Sequence, residues 1–181
     1  MLKQIVGSIL GIAITLGMLE GANSFSPLRQ EQSSLNKSGS KQFNSRDKNY
    51  SALRDLENSV YEQINQYRIE RGLQALKLDP LVSEQARIHS ENMASGEVAF
   101  SHDGFRARVK IIDRQIPYRR AAENVAFNQG FPDPADRAIL GWIDSPGHRR
   151  NIEGDFDLTG IGVARGRGGA YYFTQIFVLR D

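Results

Sequence analysis

The three histidines of this chain and one of its glutamates are the candidates for acid–base or metal chemistry. His102 lies in the stretch "FSHDG" and His148 lies in "SPGHRRNI". Both stretches are rich in turn-forming residues, and turns beside rigid elements often present functional side chains. Glu123 lies among apolar residues in "AAENVAF", where a carboxylate must be paired, hydrogen-bonded or protonated. Two imidazoles and a carboxylate predict a zinc site or an acid–base group.

The spacing of these residues favours a simpler interpretation. His102, Glu123 and His148 are 21 and 25 residues apart, which matches no local metal-binding motif. Spacing alone therefore favours a buried hydrogen-bond network over a metal site. His89, on the apolar face of a predicted helix, is expected to be a hydrogen-bonded structural residue. Ser145 precedes His148 by three residues, but a helix-ending serine explains it better than a nucleophile does, because no nucleophile motif is present.

Composition narrows the classes of partner and chemistry. The chain has 181 residues and no cysteine, which excludes disulfides, thiol catalysis and cysteine-based zinc sites. Residues 25–54 carry a net charge of +4 and residues 55–181 a net charge of −2. Because the larger part has no strong positive field, nucleic acid is not an expected partner.

The N-terminal residues 1–24 have the layout of a secretory signal peptide. Lys3 is followed by an uncharged, mostly apolar run over 5–19, and Ala22 and Ser24 are spaced like the residues before a cleavage site. That run has 15 residues, whereas a spanning helix needs roughly 20. We therefore expect a cleaved signal, with an uncleaved anchor as the alternative. The expected location is secreted or in the cell envelope, with membrane contact only through this segment if it is retained.

Two further regions follow the signal segment. Residues 25–53 are polar, show no hydrophobic period and predict a flexible linker. Residues 54–181 predict one folded domain, expected to be a monomer. A stripe of apolar residues at helical spacing opens that domain, and it consists of Leu53, Leu56, Val60, Ile64 and Tyr67.

Residues that typically start or end helices and strands predict the remaining elements of the domain. Asp79-Pro80 and Asp133-Pro134 are typical helix starts, and a short helix is expected from Phe105. The second Asp-Pro helix carries Trp142 on its apolar stripe and ends at "SPG". "AAENVAF" predicts a strand, and the β-rich runs "LTGIGVAR" and "AYYFTQIFVL" flank "GRGG", which indicates a hairpin. Helices followed by a hairpin favour an α+β fold with helices packed on an antiparallel sheet.

Six segments, taken together and in order, closely resemble the CAP domain of cysteine-rich secretory proteins, antigen 5 and pathogenesis-related 1 proteins. The segments are "INQYRIERGLQALKLDPLVSEQARIHSENMA", "FSHDG", "AENVAF", "ILGWIDSPGHRRNI", "LTGIGVA" and "YYFTQIFV". The branch that they resemble is the bacterial one without cysteines. The resemblance implies an α–β–α sandwich of about 125 residues, with a central antiparallel sheet flanked by helices.

The resemblance also implies a cavity with two histidines and two glutamates. The first histidine falls on His102, and the glutamate of the Gly-Glu-Asn motif falls on Glu123, with Ala122 in place of the glycine. The other two positions fall on Tyr172 and Ser145, so half of this tetrad is retained.

His148 is then a hypothetical substitute for the missing histidine. A metal site, if there is one, would be zinc at His102, Glu123 and His148, and no cofactor is required. Tyrosine is a poor zinc ligand near neutral pH, since its ordinary pKa is about 10. Asn124 and Gln175 are expected to orient the cluster.

The resemblance leaves three functions open. The first is an exported, non-enzymatic module whose cleft binds a small ligand, lipid, glycan or protein through His102, Glu123, Asn124, Ser145, His148, Tyr172 and Gln175. The second is a metal-assisted hydrolase that uses His102, Glu123 and His148. The third is a structural cell-envelope protein tethered by the linker. The reduced tetrad and the absence of a recognisable catalytic motif favour the first.

Overall fold

A computed structural model describes the backbone of residues 28–181 and the side chains of residues 47–181. The predicted signal segment, 1–24, lies outside the described residues. The chain divides into a first unit, which ends at residue 41, and a second, compact unit over 42–181. Of the first unit, the structure describes only helical backbone from Leu28 onward. The elements that position the site all belong to the second unit.

The first helix, α1, spans Leu28–Glu70 and begins inside the segment predicted to be a flexible linker. The backbone of the described part of that segment is helical. The segment lacks a hydrophobic period, but periodicity reports burial on one face and not helix formation itself. Residues 28–53 contain no proline and one glycine, so little opposes a helix there. A linker role for residues 25–53 stays a prediction.

Four shorter helices follow, and three of them start as predicted, at Pro80, Phe105 and Pro134. They are α2 (Pro80–Ser95), α3 (Phe105–Asp113), α4 (Pro134–Asp144) and α5 (Pro146–Ile152). The Asp79 carboxylate accepts hydrogen bonds from the backbone N–H groups of Leu81 and Val82 at the start of α2. Asp133 accepts from the backbone N–H of Asp136 at the start of α4. Both aspartates satisfy donors that a helix N-terminus otherwise leaves unpaired.

The strands form one sheet of four, in the order β1-β3-β4-β2. Their bounds are β1 Lys77–Leu78, β2 Tyr118–Asn128, β3 Leu158–Arg165 and β4 Tyr171–Arg180. β3 and β4 form the predicted hairpin, and β2 pairs antiparallel with β4. The two-residue β1 runs parallel to β3, which is the one departure from an antiparallel sheet in the described residues.

Helices cover both faces of this sheet, which confirms the predicted α–β–α sandwich. One face packs α1, α4 and α5 against Phe173 and Phe177 of β4. The opposite face packs α2 and α3 against Ile176 and Val178. Alternate side chains of one strand therefore serve two separate cores. Gly162 allows α2 to approach closely, because a Cβ there would overlap the backbone of that helix.

β2 is an edge strand, and two side chains cover its outer carbonyl groups. The indole N–H of Trp142, on α4, donates to the Val125 carbonyl at 2.9 Å. The side-chain amide of Asn151, on α5, donates to the Glu123 carbonyl at 3.3 Å. These bonds satisfy backbone acceptors that an uncovered edge would expose, and they place α4 and α5 beside the candidate site.

Trp142→Ala should lower the free energy of unfolding by about 3–5 kcal/mol, as large-to-small core substitutions do. Trp142 is 1% exposed. The substitution also removes the hydrogen bond from its indole N–H to the Val125 carbonyl. Denaturant unfolding measures the change. Leu140→Ala is the matched control, because Leu140 lies on the same helix and is 48% exposed. A loss under about 1 kcal/mol for Trp142→Ala would show that this face of α4 is not core.

Candidate functional site

The candidate site lies on both sides of the edge strand β2. Glu123 and Asn124 are consecutive, so their side chains point to opposite faces of the sheet. Glu123 pairs in register with Ile176, whose side chain lies on the α2 and α3 face. Asn124 pairs with Gln175 on the face that carries α5. One dipeptide thus positions groups in both layers.

Glu123 is buried and both of its carboxylate oxygens are occupied. The Arg108 guanidinium donates from Nε to Oε2 at 3.0 Å, and from Nη2 to Oε1 at 2.9 Å and to Oε2 at 2.8 Å. His102 Nδ1 lies 3.1 Å from Oε1. The Glu123 side chain is 2% exposed, whereas that of His102 is 51% exposed. Glu123 is therefore a paired, buried carboxylate, as its apolar neighbours in the sequence predict.

The loop that carries His102 is tied down on both sides of that residue. His89 Nε2, on α2, lies 2.9 Å from the Ser101 carbonyl. Arg108 Nη1 donates to the Asp103 carbonyl at 2.8 Å. His89 is 2% exposed, and it is the hydrogen-bonded structural residue predicted from its helical face. The half-exposed ring of His102 thus extends from a fixed backbone.

His148 lies on a helix and not in a turn, which corrects the expectation from "SPGHRRNI". α5 begins at Pro146, directly after α4 ends at Asp144. Proline suits the first turn of a helix because its fixed φ is already helical and its missing N–H needs no partner. The motif therefore ends one helix and starts the next. The His148 ring lies 6.3 Å from the His102 ring between centroids.

Asparagine side chains hold α5 against β2. Asn124 is fully buried, and its amide nitrogen donates to the His148 carbonyl at 3.2 Å. Asn151 donates to the Asn124 side-chain oxygen at 2.9 Å. Asn124 thus holds the backbone of His148 against β2.

The other three predicted site residues make different contacts. The Tyr172 ring packs edge-on against Phe127, with centroids 5.1 Å apart. Ser145 is the N-cap residue of α5 but makes no side-chain capping bond. The Gln175 amide donates to the Thr159 hydroxyl at 3.2 Å. Within the described residues, none of Tyr172, Ser145 and Gln175 hydrogen-bonds to His102 or Glu123.

A cavity of about 190 Å³ adjoins His148 at the outer edge of β2. It is lined by Val125, Ala126, Phe127, Arg137, Ala138, Gly141, Trp142 and His148. Exposed aromatic rings lie in this region, since Phe127 is 47% exposed and contacts Phe100, which is also exposed. A larger cavity of about 580 Å³ is lined by other residues, including Leu53 and Arg167, and shares none with the histidine site. The smaller cavity is therefore the one that belongs to the candidate cleft.

The donor set does not fit a resident zinc ion. Zinc needs unoccupied nitrogen or oxygen ligands, usually four of them around the ion. Both Glu123 oxygens accept from the Arg108 guanidinium, which is itself a cation. Over residues 47–181, no three His, Asp or Glu side chains are placed to hold one metal ion. The His102–Glu123–His148 zinc site thus has no support in this geometry.

Arg108 is the site residue that the sequence predictions missed. A signal was present, because Arg108 lies three residues after Phe105 and next to Val109, on the buried side of the predicted helix. A charged residue on the apolar stripe of a short helix must have a partner. The partner itself, Glu123, could not be read from local spacing because it lies on a different element.

Comparison with known sequences gives one family. The family model of the cysteine-rich secretory protein (CAP) family matches residues 61–177. The uncharacterized protein YkwD of Bacillus subtilis is 31% identical over 131 residues, which cover 71% of this chain and 49% of YkwD. The chain therefore spans about half the length of that curated relative.

Solved structures show the same architecture. An extracellular protein with an SCP domain from Bacillus anthracis is 25% identical, with a TM-score of 0.60, over 71% of this chain and 41% of that one. A cysteine-rich secretory protein from Staphylococcus aureus is 26% identical, with a TM-score of 0.57, over 71% and 40%. An outer surface protein of Borrelia burgdorferi, at 18% identity, has a TM-score of 0.60 over 71% and 96% and shows the fold alone.

Burial of His89 predicts a loss of stability in mild acid. Burial lowers its pKa below the ordinary 6.5, and the positive charge of Arg108 acts in the same direction against the opposing Ser101 carbonyl. The unfolded chain therefore binds a proton first as the pH falls, so this contribution is complete above pH 6.5 and declines below it. His148 shifts in the same direction, mainly through burial and also through His102.

His89→Gln tests this linkage, because glutamine retains an N–H for the Ser101 carbonyl but does not titrate. Unfolding free energies at pH 7.5 and 5.0 give the comparison. We expect a smaller acid-induced loss in the variant than in the wild type. Equal losses in the two proteins would show that His89 does not titrate as its burial requires.

Proposed function

The chain, which has no cysteine, belongs to the cysteine-rich secretory protein (CAP) family, and from that membership we propose that it is an exported, non-enzymatic binding module. The ligand enters the cleft at the outer edge of β2. Its contacts there are His102, His148 and the cavity beside Phe127. Glu123 and Asn124 support these groups from the two faces of the sheet.

The engagement of Glu123 is the observation that carries this proposal. A carboxylate that acts as a base or a metal ligand needs an oxygen free for its proton or its ion. Each Glu123 oxygen instead accepts from Arg108, and one also faces His102. The carboxylate therefore serves to fix the His102 loop, and the exposed imidazole is left as the contact for a ligand.

The lining of the cavity supports binding of part of a larger molecule. Apolar and aromatic walls with a few placed polar groups are typical of ligand sites. Sites for drug-sized ligands measure roughly 300–1,000 Å³, and the cavity of about 190 Å³ is smaller. It accommodates one ring or one terminal group, while the remainder of the ligand lies across the exposed rings of Phe127 and Phe100.

Export is supported by the relatives and by the N-terminal sequence. The Bacillus anthracis structure is described as an extracellular protein, and the Borrelia burgdorferi one as an outer surface protein. Residues 1–24 have the layout of a signal peptide. In the described part of the chain, no helix has the length and apolar content to span a bilayer. N-terminal sequencing of the exported protein checks cleavage, and a retained Met1 would contradict it.

A metal-assisted hydrolase is the competing function, and the His102–Glu123 hydrogen bond is the observation in its favour. A buried carboxylate that orients an imidazole is found in metal sites and in acid–base catalysis alike. That reading requires an ion or a reacting group on the other nitrogen of His102, with His148 as a second ligand.

Zinc calorimetry on the wild type and on His148→Ala separates the two functions. We expect no zinc binding tighter than millimolar in either protein, because Arg108 occupies the carboxylate that zinc would need. Micromolar, stoichiometric binding that is lost in His148→Ala would support the metal-dependent reading and contradict ours. His89→Gln is the control for loss of a histidine outside the cleft, because glutamine retains an N–H for the Ser101 carbonyl.

A further inference from the structure

Arg108 and His102 meet on one buried carboxylate, and this arrangement sets the proton of the exposed imidazole. We infer that Arg108 is the built-in cation of the cleft. Its guanidinium holds both oxygens of Glu123 and thereby fixes the proton of neutral His102 on Nδ1. Nε2 then stands as a hydrogen-bond acceptor on a half-exposed side chain. The role of that nitrogen toward a ligand rests on the proposed binding function, whereas the position of the proton does not.

The hydrogen bonds of Arg108 to Glu123 join α3 to β2. From α3, its guanidinium makes three short contacts with Glu123 on β2, between 2.8 and 3.0 Å. Its remaining nitrogen, Nη1, donates to the Asp103 carbonyl in the loop that carries His102. The Arg108 side chain is 10% exposed, so both charges of the pair are removed from water. Such two-pronged contacts between arginine and a carboxylate are among the strongest hydrogen-bonded pairs in proteins.

Gly104 leaves space for the Arg108 guanidinium beside Glu123. Its φ is 77°, in the left-handed region that glycine adopts at little cost. A Cβ at this position would lie 3.2 Å from Arg108 Nη1, which is tighter than ordinary contact. The residue that turns the chain into α3 therefore also leaves room for the guanidinium.

The chemistry of the acceptor decides which nitrogen of His102 carries the proton. An ionised carboxylate only accepts hydrogen bonds, so a ring nitrogen 3.1 Å from Glu123 Oε1 must donate. In neutral imidazole the other nitrogen is then a bare acceptor. His102 Nε2 makes no hydrogen bond to any described residue, and half of the side chain is exposed.

Arg108 thus performs the structural task that a bound ion would otherwise perform. A metal would have to displace a guanidinium from two oxygens of a carboxylate that is 2% exposed. The displaced arginine would be left as a buried, unpaired charge, which is strongly unfavourable. The carboxylate and the loop are consequently positioned without any exchangeable ion.

The position of the His102 proton determines which kind of ligand group can bind to this ring. A group that contacts His102 Nε2 must be a hydrogen-bond donor, such as a hydroxyl or an amide N–H. The His148 ring lies beside it, with the two ring centroids 6.3 Å apart. We expect the ligand group at this position to be a hydrogen-bond donor.

Nitrogen-15 NMR of the imidazole rings tests the proton position directly in the ligand-free and metal-free chain. With only three histidines, single His→Gln variants assign every ring. At pH 8 we expect His102 to show a protonated Nδ1 and an unprotonated Nε2. Free histidine favours the opposite tautomer, so a protonated Nε2 in the wild type would overturn the inference. A protonated Nε2 would not contradict the proposed function, because zinc calorimetry tests that function separately.

Variants of Arg108 test whether it acts through Glu123. Arg108→Leu should shift His102 toward the Nε2–H tautomer, because a buried carboxylate without its cation takes up a proton and then donates to Nδ1. Arg108→Lys retains a cation without the planar fork, and should give an intermediate population. Arg106→Leu is the matched control, since Arg106 is exposed on the same helix.

The lysine variant keeps the test decisive if Arg108→Leu does not fold. His102 signals in Arg108→Lys that match those of the wild type would overturn the inference, because the guanidinium contact with both Glu123 oxygens would then not set the tautomer. Signals that shift equally in Arg106→Leu would overturn the inference as well.

Discussion

A carboxylate removed from water must have its charge met by donors or by a cation, and in this protein Glu123 imposes that requirement. Arg108 meets it from α3 and His102 contributes from the preceding loop. His89 and Arg108 in turn fix the loop backbone on either side of His102. The position of the exposed imidazole therefore follows from compensation of one buried charge.

Burial makes the Arg108–Glu123 ion pair matter for stability. The Arg180–Asp157 pair is also close, but its side chains are 47% and 33% exposed. Exposed pairs contribute roughly 0–1 kcal/mol, whereas loss of one partner from a buried pair costs about 3–5 kcal/mol. Arg108 and Glu123 lie in the second class, so their pairing constrains the fold of the cleft in a way that the surface pair does not.

Much of the fold could be predicted from local sequence signals. Asp79-Pro80 and Asp133-Pro134 mark helix starts because capping depends on adjacent residues, and the hairpin follows from alternating strands around a glycine-rich turn. The pairing requirement of Glu123 could be predicted as well, because its apolar neighbours imply burial. α5 could not be predicted in the same way, because Pro146 and Gly147 are typical of a helix stop as well as of a helix start. Arg108 as the partner of Glu123 was missed because that contact joins elements 15 residues apart in sequence.

The NMR signal of the Glu123 carboxyl carbon tests most directly whether Arg108, and not a metal ion, compensates the charge of this carboxylate. Carbon-13 NMR of the full chain, labelled at glutamate carboxyl groups and assigned with Glu123→Gln, can be recorded with and without millimolar zinc. The ion pair with Arg108 predicts a Glu123 resonance that zinc does not move. A resonance that shifts in proportion to bound zinc would contradict the account, because the carboxylate would then be free to bind the ion.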